Sequence, residues 1–294
     1  MCWERFTTLV FAAWIGVFGL ATPARAVDPK PAEKLNESLA FDIEKHKDVA
    51  YRTDKDADKE RHKLDVYCPK GLKDFPVVLF VHGGSWKSGS KDLYVGIGEA
   101  FARAGIGFVI CNYRLSPTVQ HPAHIQDIAK AFAWTSENIG QYGGKADKLF
   151  VCGHSAGGHL VSLLATDPEY LKVEKHSPAE IKGVVSISGV YTIVAHERVF
   201  NEPFGKDEQV CKNASPLAHV VGKHPPFLIA YADNDYPHLD EMANDMHAAL
   251  KKVNSPSDLL LCKRRNHLSI IINLIDPDDT LNRALRTFVQ AQAK

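Results

Sequence analysis

Along most of the chain, short apolar runs alternate with longer stretches of helical rhythm. Residues 62–67 alternate apolar and polar, which predicts a half-buried strand. Residues 76–81 are continuously apolar and predict a strand covered on both faces. A helix is expected over 93–104, stopped by Gly105, and a strand over 107–111. Between 122 and 139, Ile125, Ile128, Ala129, Phe132 and Ala133 recur at helical spacing until Gly140. Residues 149–152, 183–187, 227–231 and 259–262 read as further strands, and 239–253 and 281–292 as helices. Strands alternating with helices require crossover connections, so the predicted fold is α/β, a mostly parallel sheet with helices on both faces. Residues 190–214 fall between two strands without a readable period and are the expected small cap over the sheet's ligand edge.

Composition narrows this picture. With 45% hydrophobic and 24% charged residues, the chain has the material for an ordinary core, which excludes global disorder. Lys plus Arg and Asp plus Glu both number 35, so no charge excess points to nucleic acid or another polyanion. Six cysteines in 294 residues are too few for a disulfide scaffold, and no Cys-x-x-Cys pair suggests a zinc ribbon.

The first 26 residues read as an address. Residues 7–21 are apolar after two threonines, and Ala24-Arg25-Ala26 supplies a small-x-small cleavage pattern. The expectation is a cleavable secretory signal over 1–26, a polar lead-in over 27–48, one domain over 49–294, a secreted or periplasmic location and no membrane attachment after cleavage. Removal of Cys2 leaves five cysteines. Cys68, Cys111 and Cys152 sit in strand-like apolar runs and read as small buried hydrophobes. Asp54, Asp56, Asp58 and Asp65 match acidic positions of a calcium loop, but Lys59 stands where that loop needs glycine, so a charged hairpin tip is expected.

Chemistry concentrates at four places. The strand at 149–152 runs into Gly153-His154-Ser155-Ala156-Gly157-Gly158, a Gly-x-Ser-x-Gly turn opening a helix. Such a turn pushes the serine oxygen out at the sheet edge, and the helix start adds oriented N–H groups. Ser155 is the candidate nucleophile. The strand at 77–81 empties into His82-Gly83-Gly84-Ser85-Trp86, whose paired glycines leave backbone N–H groups open to an oxyanion. Gly83, Gly84 and Ala156 are the candidate donors, and Trp86 the candidate substrate contact. A serine nucleophile needs a base and the base an orienting acid, in chain order Ser, acid, His. His267 follows the last strand and is the candidate base. Asp233 and Asp235 both follow the strand at 227–231, with Asp235 further into the loop.

These motifs, with Leu64-Asp65-Val66-Tyr67, Gly89-Ser90-Lys91-Asp92, Tyr113-Arg114-Leu115, Ser215-Pro216-Leu217 and Asn266-His267-Leu268-Ser269, resemble the α/β-hydrolase superfamily from about residue 49 onward. The resemblance is to secreted carboxylesterases such as feruloyl and acetyl-xylan esterases, with kynurenine formamidases as relatives. It implies an α/β-hydrolase fold and Asp235 as the acid. Ser85 departs from the third glycine of hormone-sensitive-lipase-like members, which keeps the oxyanion hole on Gly83, Gly84 and Ala156. The implied activity is hydrolysis of short-chain esters, on small molecules or polysaccharides, through an acyl-serine, with no metal or organic cofactor. The alternatives are an arylformamidase, and an inactive binding module on the same fold.

Overall fold

The structure is a computed structural model and describes residues 41–294. The expected secretory signal, Cys2 and the expected lead-in up to residue 40 lie outside the described residues. One eight-stranded sheet organises the chain, in the order β1-β2-β4-β3-β5-β6-β7-β8. Its strands are β1 (Ile43–Ala50), β2 (Lys63–Pro69), β3 (Phe75–Val81), β4 (Gly107–Cys111), β5 (Gly144–His154), β6 (Val184–Ile187), β7 (Phe227–Asn234) and β8 (Ser257–Asn266). β1 and β2 pair antiparallel, β2 joins β4 antiparallel, and every other pairing is parallel.

The helices are α1 (Val95–Arg103), α2 (Ala123–Asn138), α3 (Ala156–Thr166), α4 (Pro168–Val173), α5 (Arg198–Phe204), α6 (Glu208–Asn213), α7 (Leu239–Lys252), α8 (Ser269–Ile272) and α9 (Thr280–Gln292). Strand alternation sorts them into two layers. Val77, Leu79 and Val81 of β3 join one core with Ile128 and Phe132 of α2, Leu164 of α3 and Leu250 of α7. Val78 and Phe80 face the other, with Phe101 of α1 and Leu285 and Val289 of α9. Both sheet faces are therefore covered, which is why the central strands read as unbroken apolar runs.

The lead-in read over 27–48 requires correction, because Ile43–Ala50 is β1. This edge strand carries Glu44, Lys45, His46, Lys47 and Asp48, largely exposed. Charges on an edge discourage pairing with another chain and also erase the alternation that would announce a strand. The acidic loop that follows has its own partners. Asp54 binds Arg52 at 2.6 Å, Asp58 accepts the N–H groups of Glu60 and Arg61, and buried Asp65 meets Lys91 at 2.9 Å. Burial lowers the Lys91 pKa, but Asp48, Asp65 and Asp92 together raise it above its ordinary value. That cluster gives the Leu64-Asp65 and Lys91-Asp92 motifs a structural reason. Cys68, Cys111, Cys152, Cys211 and Cys262 are all buried free thiols. No helix among the described residues is long and apolar enough to cross a membrane.

Residues 190–214 form α5, α6 and their connections between β6 and β7. Tyr191, Ile193, Phe200, Phe204 and Cys211 turn inward, whereas Val194 and Val199 stay exposed. Phe200 and Phe204 pack edge-on against Trp86 at centroid distances of 5.9 and 4.8 Å. Trp86 is only 2% exposed and donates its indole N–H to His159 Nδ1 at 3.2 Å. The reading of Trp86 as a substrate contact is therefore corrected: the insertion covers its ring, and it forms the wall behind the glycine loop.

Candidate active site

The C-terminal ends of β3, β5, β6, β7 and β8 converge, as expected for ligand sites of parallel sheets. Between β5 and α3 the chain turns at Ser155, with φ 56° and ψ −119°. This is strained backbone for a residue with a Cβ, and such strain clusters at functional sites. The turn depends on Gly157, where a Cβ would lie 2.0 Å from the Val81 carbonyl oxygen. Ser155 N–H is anchored to the Ile187 carbonyl at 2.9 Å, so the serine cannot relax into a regular helix start.

His267 Nε2 lies 3.0 Å from Ser155 Oγ, and His267 Nδ1 lies 2.6 Å from Asp235 Oδ1. A carboxylate only accepts, so Nδ1 carries the proton and Nε2 presents its lone pair to the serine hydroxyl. Burial raises the Asp235 pKa, but hydrogen bonds from His267, Ser188 and the Ala232 N–H outweigh it and hold the carboxyl below its ordinary value. The Ser188 hydroxyl donates to Asp235 Oδ2 at 2.6 Å, and Ala232 N–H at 3.0 Å. Asp233 is elsewhere, exposed and accepting the N–H groups of Arg264 and Arg265 at 2.7 and 2.9 Å. It fastens the turns after β7 and β8, leaving Asp235 beside the imidazole.

Three further residues belong to the site and have no obvious sequence signal. Ser188 follows an ordinary strand, although its φ of 47° marks a special turn. Tyr236 stacks on His267 with centroids 4.1 Å apart and planes at 26°. His154 lies 4.8 Å from His267 by ring centroid and donates from Nε2 to the His267 carbonyl at 2.9 Å. Of these, only His154 falls inside a motif, at a position where the motif admits any residue.

The glycine loop abuts the serine: a Cβ on Gly83 would lie 3.2 Å from Ser155 Cβ. Gly84 takes φ 118°, and a Cβ there would meet the Ser88 carbonyl oxygen at 2.2 Å, so only glycine fits. Gly83 N–H donates to the Tyr94 hydroxyl at 3.4 Å, whereas Gly84 N–H has no hydrogen-bond partner among the described residues. Ala156 opens α3, and its N–H is one of the helix's free donors. A cleft of about 350 Å³ opens beside Asp235 and Tyr236, lined also by Tyr231, Pro237 and Leu261. A second of about 460 Å³ lies in the insertion near Ile193, Cys211 and Leu217 and touches none of these site residues.

The BD-FAE family matches residues 64–250, more than half of the chain. The chain belongs to the BD-FAE family. Esterase LipC of Mycobacterium tuberculosis is 32% identical over 193 residues, which are 58% of this chain and 48% of LipC. Kynurenine formamidase of Salmo salar is 28% identical over 235 residues, 77% of each chain. Among the curated relatives, LipC and the M. tuberculosis hydrolase LipM are matched over less than half of their own length. A truncated carbohydrate esterase from gut microbiota superposes with a TM-score of 0.72 at 19% identity, covering 87% of this chain and 98% of that one. A phosphonate-inhibited esterase B of Lactobacillus rhamnosis gives 0.72 at 22% identity, covering 88% of each. The fold of this BD-FAE member is that of the α/β-hydrolases, as the motifs imply.

Several buried imidazoles lie in its core around the site, with a consequence for acid stability. Burial pushes His82 and His124 down to about 4 and His154 and His159 down to about 3. An unfolded chain protonates the same groups near the ordinary 6.5. Stability is therefore full above pH 6.5 and declines as the pH falls from there toward 4, because the unfolded state takes up protons first. Each of the four imidazoles adds to that loss in the same direction. A fall in stability between pH 6.5 and 4 is the expected outcome of denaturant unfolding at a series of pH values followed by near-UV circular dichroism. A protein as stable at pH 4 as at pH 7 would contradict it.

Proposed function

We propose that the protein is a serine hydrolase of carboxylic esters, acting through an acyl-serine intermediate. The observation that carries this reading is the unbroken hydrogen-bond chain from Ser155 to His267 to Asp235. Ser155 Oγ attacks the ester carbonyl while its proton passes to His267 Nε2. Asp235 holds the imidazole in the productive tautomer and stabilises its charged form. The developing oxyanion is received by the N–H groups of Gly84 and Ala156, with Gly83 beside them. One such donor is worth on the order of 3 kcal/mol. Collapse of the tetrahedral intermediate expels the alcohol, which takes the proton from His267. Water, deprotonated by the same imidazole, then attacks the acyl-serine and frees the acid. A module that only binds would have no use for a strained serine hydrogen-bonded to an oriented imidazole.

The substrate reading is a short acyl ester. The space behind the glycine loop is occupied by Trp86, His159, Phe200 and Phe204 packed together. Each further buried methylene contributes about 0.8 kcal/mol only where an apolar wall receives it. Nitrophenyl esters from acetyl to butyryl are expected to give the highest kcat/KM, with a fall beyond about eight carbons. The assay runs below the micelle threshold, and a steady rise to palmitoyl esters would show a long apolar channel. Formamide cleavage is the second reading, favoured by the even coverage of the Salmo salar kynurenine formamidase. N-formylkynurenine, methyl ferulate and acetylated xylan in the same panel discriminate among the leaving groups. Export is proposed with this activity, supported by the apolar run over 7–21 and the Ala24-Arg25-Ala26 pattern.

A further inference from the structure

Behind the glycine loop lies a guanidinium that the hydrolytic mechanism does not use. Arg61 Nε donates to the Tyr113 carbonyl at 2.8 Å, and both terminal nitrogens donate to the Gly89 carbonyl at 3.2 Å. Among the described residues it has no carboxylate within 4 Å. Its Nη2 lies 3.3 Å from His82 Nε2, and His82 Nδ1 lies 2.7 Å from the Gly83 carbonyl oxygen. Guanidinium only donates, so His82 Nε2 must accept and Nδ1 must carry the proton given to Gly83. The His82 ring cannot turn away. Tyr113 stacks on it at 4.5 Å and gives its hydroxyl proton to the His82 carbonyl.

In a trans peptide the C=O of one residue and the N–H of the next point in opposite directions. His82 holds the Gly83 carbonyl, so the Gly84 N–H of the same peptide points away from His82, in a loop whose Gly83 lies against Ser155. Hydrogen bonds in series also polarise one another, by perhaps 10–30% per bond. We propose that Arg61 is a positioning residue for the oxyanion hole, acting through His82 to fix and polarise the Gly83–Gly84 peptide. A positive charge at one end of this chain strengthens the donor at the other as negative charge develops on the substrate oxygen. The inference rests on the ester-hydrolase reading and extends it to a residue more than twenty positions upstream of the loop it serves.

Two ligands separate this role from simple support. A trifluoromethyl ketone lets Ser155 Oγ bond to the carbonyl carbon; the C=O π electrons move to oxygen and the serine proton to His267, giving a hemiketal oxyanion. The methyl ketone of the same skeleton stays neutral. Removing a whole oxyanion donor costs 10²–10³ in kcat, so weakening and loosening one is expected to cost about tenfold or more. Arg61→Gln should lower kcat and the affinity for the trifluoromethyl ketone in step by that factor. KM and the affinity for the methyl ketone should stay within about twofold. Arg61→Lys, which keeps the charge without the fork, should fall between wild type and Arg61→Gln, and it reads the same ratio if the glutamine variant does not fold. Equal loss of both ketones, or no loss of either, overturns the inference. Wild-type protein that turned over no ester would instead remove the hydrolase reading beneath it.

Discussion

Ser155→Ala is expected to give a folded protein whose kcat on a nitrophenyl butyrate ester is lower by about 10⁶, the cost of removing comparable nucleophiles. Nothing else in the site can replace the lost oxygen. Ser188 lies on the far side of Asp235, to which its hydroxyl is committed. The substitution keeps a Cβ at the same strained φ of 56°, so the turn loses no more than the hydrogen bond to His267. Circular dichroism and the melting temperature should stay close to wild type while turnover disappears. Retention of more than a tenth of the activity would remove Ser155 from the mechanism.

Asp235→Asn is expected to cost on the order of 10⁴ in kcat. An amide can give a proton to His267 Nδ1 as readily as accept one. The imidazole can then adopt the tautomer whose Nε2 carries the proton and faces Ser155 without a lone pair. Asp233→Asn should cost little, because that carboxylate serves only the backbone of Arg264 and Arg265. Parallel kcat measurements on the two variants check this. If the larger loss followed Asp233, the acid would have to be reassigned to it.

Ser155 and His267 were legible because their local sequence carries the geometry: glycines flank one, and the other follows a terminal strand. Asp235 was less so. Two carboxylates share the same loop, and what separates them is the direction of their neighbours' N–H groups, which pattern does not encode. Arg61 and Ser188 were not legible at all. An arginine before a strand and a serine after one are common, and their meaning comes from contacts 21 and 47 residues away. The buried strands were read nearly in place because both of their faces are dry. β1 was missed because its exposed charges carry no period. Trp86 was misread for a related reason: an aromatic beside a site looks the same in sequence whether it is open to a ligand or covered by a distant insertion.

The order of the strands has a bearing on how the molecule comes to life. Ser155 leaves β5 at the centre of the sheet, whereas Asp235 leaves β7, and His267 leaves β8 at the opposite edge from β1. The contact between His267 and Ser155 spans 112 residues of chain. Closing so long a loop is entropically slow compared with forming local pairs. The hydrogen bond from His267 to Ser155 therefore joins segments that only the finished sheet brings together. The geometry at Ser155 is thus a property of the assembled sheet: without β8 beside β7, the serine turn has no imidazole next to it.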